Sequence, residues 1–74
     1  MNLFNMVTML TVRIECKKIS VEKLTECIHS LIEPCFKAWL YRDRVYSIFR
    51  VSSLSVLSKV IDKLTEHRIK FCWT

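Results

Sequence analysis

Four cysteines (Cys16, Cys27, Cys35, Cys72) and two histidines (His29, His67) are the side chains best suited to hold a metal or attack a substrate. Their spacing favours neither. No two cysteines form a C-x-x-C pair, and the two histidines fall in different helical segments, so the ligand pattern of a zinc site is missing. A cysteine nucleophile would need a histidine in reach and a group to hold the developing oxyanion, and the spacing suggests no such arrangement. The chain has no glycine. That argues against the glycine-rich loops that cradle phosphates in Walker and dinucleotide sites. No catalytic residue, cofactor or metal is therefore expected. The thiols read as small hydrophobes in a reducing, cytoplasmic setting.

A second set of residues suggests binding. In the segment from 36 to 51, Lys37, Trp39, Tyr46, Ile48 and Arg50 fall on one side of two alternating runs. Aromatic rings offer stacking platforms for bases, and lysine or arginine supplies phosphate contacts. Arg42 and Arg44 cluster at the junction of the runs and, with Lys37 and Arg50, are the candidate RNA contacts. The glycine-containing consensus of RNA-recognition domains is absent. The same rings could instead pair across strands or meet another subunit, which makes Trp39, Tyr46 and Ile48 candidate interface residues as well.

The elements that must position these residues follow from periodicity. Val7 to Cys16 alternates, with Leu10, Val12, Ile14 and Cys16 on one face and Thr11, Arg13 and Glu15 on the other, as in a half-buried strand. Lys17 to Ile19 turns the chain. Ser20 is placed to cap a helix marked by Val21, Leu24, Ile28, Leu31 and Ile32, which Pro34 ends. Phe36 to Tyr41 and Arg44 to Val51 read as antiparallel strands with Leu40 opposite Val45, so Phe36, Ala38, Leu40, Val45, Ser47, Phe49 and Val51 form the core face. Their junction is either a tight turn at Arg42-Asp43, costly without glycine, or a four-residue loop. Ser52 or Ser53 then caps a long helix to about His67, with Leu54, Leu57, Ile61 and Leu64 as its apolar stripe and Val56 and Val60 as a flanking strip. Residues 69–74 alternate again, as an extra strand or a tail. Residues 1–6 read as a flexible leader.

The expected fold is α+β: a two-layer sandwich with a three- or four-stranded antiparallel sheet and two helices on one face, in the order β-α-β-β-α, with a short final strand completing a ferredoxin-like plan. Seventy-four residues make one domain, 1–74. A 51% hydrophobic content is high for a chain that can bury only a modest core, which suggests a dimer or a permanent partner. Net charge is +5, compatible with RNA or an acidic protein. The first ten residues lack the basic start of a signal peptide, and no apolar run suits a membrane span.

The passage from Arg44 to Leu64 resembles the small α+β dimerisation subunit of the KEOPS tRNA-modifying complex of archaea and eukaryotes. In that family a hairpin strand leads through a small residue, an Asp and a serine-rich entry to a Leu-Arg pair on the second helix. Here Val51 stands at the small position, Ser53 at the Asp, Leu57 at the Leu and Ser58 at the Arg. The resemblance spans about residues 7–67 and keeps the Leu but not the Asp or the Arg. It implies a non-catalytic accessory subunit that pairs with itself or a related small chain. Such a subunit would dock through Leu54, Val56, Leu57, Val60, Ile61 and Leu64 on the threonylcarbamoyl-transferring subunit and help to bind tRNA. The alternative is a stand-alone ferredoxin-like RNA-binding domain that uses the aromatic and basic sheet face. A small-ligand regulatory domain is a third class, disfavoured by the missing glycines.

Overall fold

The computed structural model describes residues 9–33 and 36–74. The leader, Val7, the helix-ending Pro34 and Cys35 lie outside the described residues. The fold is α+β, with four antiparallel strands and two α-helices among the described residues. Strand β1 (Leu10–Lys17) is followed by α1 (Val21–Ile28), the hairpin β2 (Lys37–Tyr41) and β3 (Arg44–Val51), α2 (Leu54–Glu66) and β4 (Phe71–Trp73). The sheet order is β2-β3-β1-β4. Each helix thus links two strands that run parallel with a third strand between them, and the two split units interleave as in the ferredoxin-like plan.

Register follows from the apolar alternation. Leu10 pairs with Val51, Val12 with Phe49, Ile14 with Ser47 and Cys16 with Val45, so one face of the two central strands is almost wholly apolar. Leu24, Cys27 and Ile28 of α1 and Val60 and Leu64 of α2 close over that face. The helices touch each other where the Cys27 thiol donates a long bond to the Lys63 carbonyl, at 3.8 Å. Ser47 is the one polar residue in this layer, and its Oγ has no hydrogen-bond partner among the described residues.

Both caps form. Ser20 Oγ accepts from the Lys23 N–H at 3.1 Å, and Ser53 Oγ accepts from the Val56 N–H at 3.2 Å. Either replaces one of the bonds a helix start lacks. Helix α1 is shorter than its periodicity suggests: after Ile28 the chain tightens into one 3-10 turn, His29–Leu31. The hairpin takes the tight option. Arg42 and Asp43 have φ of 49° and 65°, the positive pair of a type I′ turn, and Leu40 does face Val45. The final strand is real but short, and it pairs with β1 through Ile14–Trp73 and Cys16–Phe71.

Two expectations about burial are corrected. Leu40, assigned to the core, is 65% exposed. It lies at the turn end of the edge strand β2, while the buried residues sit on β1 and β3. On α2 the buried residues are Val60 and Leu64. Leu54, assigned to the core stripe, is 72% exposed, and Val60, assigned to the flank, is core. The helix is rolled about its axis relative to the stripe read from the sequence. One residue step is about 100° of rotation, so a modest roll exchanges neighbouring stripes.

Candidate functional site

The helices occupy one face of the sheet; among the described residues no element covers the other. Pairing parity assigns its residues. Lys37, Ile48 and Arg13 form one cross-strand row, Trp39, Tyr46, Glu15 and Cys72 the next, Tyr41, Arg44 and Lys17 the third, and Arg50 sits beside Thr11. The sequence-derived group Lys37, Trp39, Tyr46, Ile48 and Arg50 is thus brought together on one surface. Arg13, Glu15, Lys17 and Tyr41 join it. Sequence reasoning did not include these four in the site: the outward parity of Arg13 and Glu15 was legible, but joining them required the knowledge that β1 lies beside β3, Lys17 was read as part of a turn, and Tyr41 shares the parity of Lys37 and Trp39 on β2.

At the centre are three aromatic rings. Trp39 and Tyr46 lie nearly parallel, with centroids 6.0 Å apart and an interplanar angle of 17°. Tyr41 leans on Tyr46 at 6.4 Å. Such cross-strand pairs hold each other without help from the core. Trp39 keeps 47% of its surface in solvent. Beside it a hollow of about 280 Å³ is bordered by Arg13, Ile48 and Thr74. The Arg42 guanidinium rests 5.2 Å above the Tyr41 ring, a cation–π contact that keeps a turn arginine close to the face.

The charges are unequal. Among the described residues, Arg13, Lys17, Lys37, Arg44 and Arg50 share the face with one acidic side chain, Glu15. Glu15 is already engaged by the Arg44 guanidinium. The other four cations are exposed and form no ion pair among the described residues. Of the candidate RNA contacts, Lys37, Arg42 and Arg50 are therefore available, while Arg44 is partly neutralised.

The candidate docking residues of α2 divide. Val60 and Leu64 are spent on the chain's own core and present no surface. Leu54 stands clear, with Val56, Leu57 and Ile61 half-buried beside it. Ser53, at the place of the resembled family's Asp, caps α2; an aspartate would fill the same role. Ser58, at the place of its Arg, is exposed.

The described thiols sit in surroundings that suppress thiolate formation or lack a partner. Burial pushes the Cys16 thiol up to about 11, with added repulsion from Cys72, Cys27 and Glu15. Burial also raises Cys27, against a lowering contribution from Lys63. Since the thiolate is the nucleophile and the metal ligand, neither thiol is primed for such chemistry. Among the described residues no three His, Cys, Asp or Glu side chains come together as a metal site, and no helix is long and apolar enough to cross a membrane. His29 and His67 are both exposed. No family model, no curated protein and no solved structure matches the chain.

Proposed function

We propose that the chain is a non-catalytic module that binds single-stranded RNA on its open sheet face. The observation that carries this reading is the charge of that face: five cations against one engaged carboxylate, set around Trp39, Tyr41 and Tyr46. Rings supply stacking that tolerates any base, and the cations follow the phosphates. The same charge disfavours pairing of two copies through this face, because four free cations would meet four. A partner protein here would have to be acidic.

Fluorescence anisotropy of the whole chain with a labelled single-stranded RNA tests the reading. Affinity should fall steeply as salt rises, since displaced counterions are the driving force. Trp39→Ala and Tyr46→Ala should each weaken binding by about 1–3 kcal/mol, the cost of one lost stacking platform. Indifference to both substitutions, or absence of binding at low salt, defeats the proposal.

A second reading draws on Leu54, which stands 72% exposed beside half-buried Val56, Leu57 and Ile61 at the head of α2. In that reading the chain is an accessory subunit of a KEOPS-like complex in a cytoplasmic, archaeal setting. It pairs with a related small chain and docks by α2 on the threonylcarbamoyl-transferring subunit, and its basic face assists tRNA binding. Affinity purification of the tagged chain with mass spectrometry separates the two. Recovery of that enzyme with a related α+β chain favours the complex; a monomer recovered with RNA alone favours the stand-alone domain.

A further inference from the structure

A second basic surface lies at one end of the sheet, where the β1–α1 loop meets the α2–β4 loop. A cavity of about 650 Å³ opens there, lined by Lys17, Lys18, Lys23, His67, Arg68 and Lys70. Among the described residues no acidic side chain lines it. Glu26 borders a neighbouring hollow with Lys23 and His67, outside this one. None of the five Lys and Arg side chains has an ion-pair partner among the described residues. Five unneutralised cations around one concavity repel one another, and a dense anion would relieve all of them together.

The backbone that carries these cations is tied down on both loops. Lys17 N–H donates to the Lys70 carbonyl at 3.3 Å, which joins the two loops. Ile19 and Ile69 pack against the core on either side. Lys18 and Arg68 have φ of 56° and 58°, the left-handed region that glycine takes without steric cost. The residues with positive φ among those described, Lys18, Arg42, Asp43 and Arg68, all lie at this end of the sheet: Lys17 pairs with Arg44, and β4 begins opposite Cys16. Three of the four are cations. The start of α1 and the end of α2 both border the cavity, so their opposed dipoles largely offset and the side-chain charge decides what binds.

We infer that this cavity is a binding site for a polyphosphate group, separate from the aromatic face and joined to it only through Lys17. The group is either the phosphate chain of a free nucleotide or polyphosphate, or the 5′-triphosphate end of an RNA strand. The inference does not need the sheet face to bind RNA.

The test is calorimetric titration of the whole chain with tripolyphosphate, on the native sequence and on Lys18→Gly/Arg68→Gly. Glycine suits both backbone positions, so the double variant should fold with an unchanged or higher melting temperature while losing two charges. The expected result is saturable binding that weakens about tenfold or more in the double variant, equivalent to about 1.4 kcal/mol. It should be unaltered in Trp39→Ala, which separates this site from the RNA-binding face. Absence of binding, or equal binding by a folded double variant, overturns the inference. Lys23→Gln/Lys70→Gln provides a second charge deletion outside the strained positions, with the same expectation. A single-stranded RNA carrying a 5′-triphosphate, compared with the same strand ending in a 5′-hydroxyl, distinguishes the sources. A preference lost in the double variant assigns the RNA end; no preference, with tripolyphosphate still bound, assigns the free anion.

Discussion

On one face of β3, Val45, Ser47, Phe49 and Val51 are buried beneath the helices; on the other, Arg44, Tyr46, Ile48 and Arg50 meet solvent in whole or in part. The two sets alternate along the same eight residues. The inner set is held by volume, because a close-packed layer penalises any lost methylene. The outer set is held by cross-strand pairs, which cost little to change singly. Substitutions on the inner face should therefore move stability, and those on the outer face should move binding. This separation is what a folded scaffold carrying a binding surface requires, and it can be broken experimentally.

The largest expected effect is Phe49→Ala. Phe49 is 1% exposed at the centre of the core and faces Phe36 at 6.5 Å between ring centroids. Its truncation should cost about 3–5 kcal/mol in urea unfolding, enough to unfold much of a small domain. A loss below 1 kcal/mol would mean that the inner face is not close-packed.

Next comes alkaline pH. Cys16 ionises at about 11 in the folded chain, against an ordinary value of 9.0. Below pH 9 its contribution to stability is complete. Between 9 and 11 the unfolded chain releases the proton while the folded chain keeps it, so stability falls as pH rises, by at most about 2–3 kcal/mol. Denaturation midpoints measured across that window should fall less steeply in Cys16→Ala. Equal slopes in both proteins would place the thiol in water.

Ser47→Ala removes a buried hydroxyl that has no partner among the described residues. It should raise stability by about 1 kcal/mol, the reverse of most core substitutions. A lower melting temperature would reveal a bond to this hydroxyl.

The smallest effect belongs to the outer face. Glu15→Gln breaks the ion pair with Arg44, a part-exposed contact screened by solvent. It should change stability by less than about 1 kcal/mol. The same change frees Arg44 and removes the only acidic side chain of the face among the described residues, so RNA affinity at low salt should increase. A decrease would mean that Glu15 orders Arg44 for binding.

Much of the fold was legible because a period of two and a period of 3.6 are properties of the chain itself. The alternation of Leu10, Val12, Ile14 and Cys16 identified β1 and its inner face, and Ser20 and the pair Ser52-Ser53 marked the helix starts, Ser53 being the cap that forms. The aromatic and basic character of Trp39, Tyr46 and Arg50 could be read from the same parity. Leu54 and Val60 could not be sorted in this way, because periodicity defines a helix face only to within about one residue step. Leu40 had the right parity for the core but lay on a strand whose position at the sheet edge no local signal announced.

The sequence by itself determined the first five elements and their order, the place of the hairpin junction around Arg42-Asp43 and the excess of positive charge; that the junction is a tight turn and the last residues a strand was decided by the structure. Tertiary structure alone decided which strands are central, how α2 is rolled, and which distant cations meet. Lys18 and Arg68 are fifty residues apart in the chain, yet they share one cavity. The reason is physical: local preferences act over a few residues, whereas strand order and the juxtaposition of loops are set by how two apolar layers close on each other.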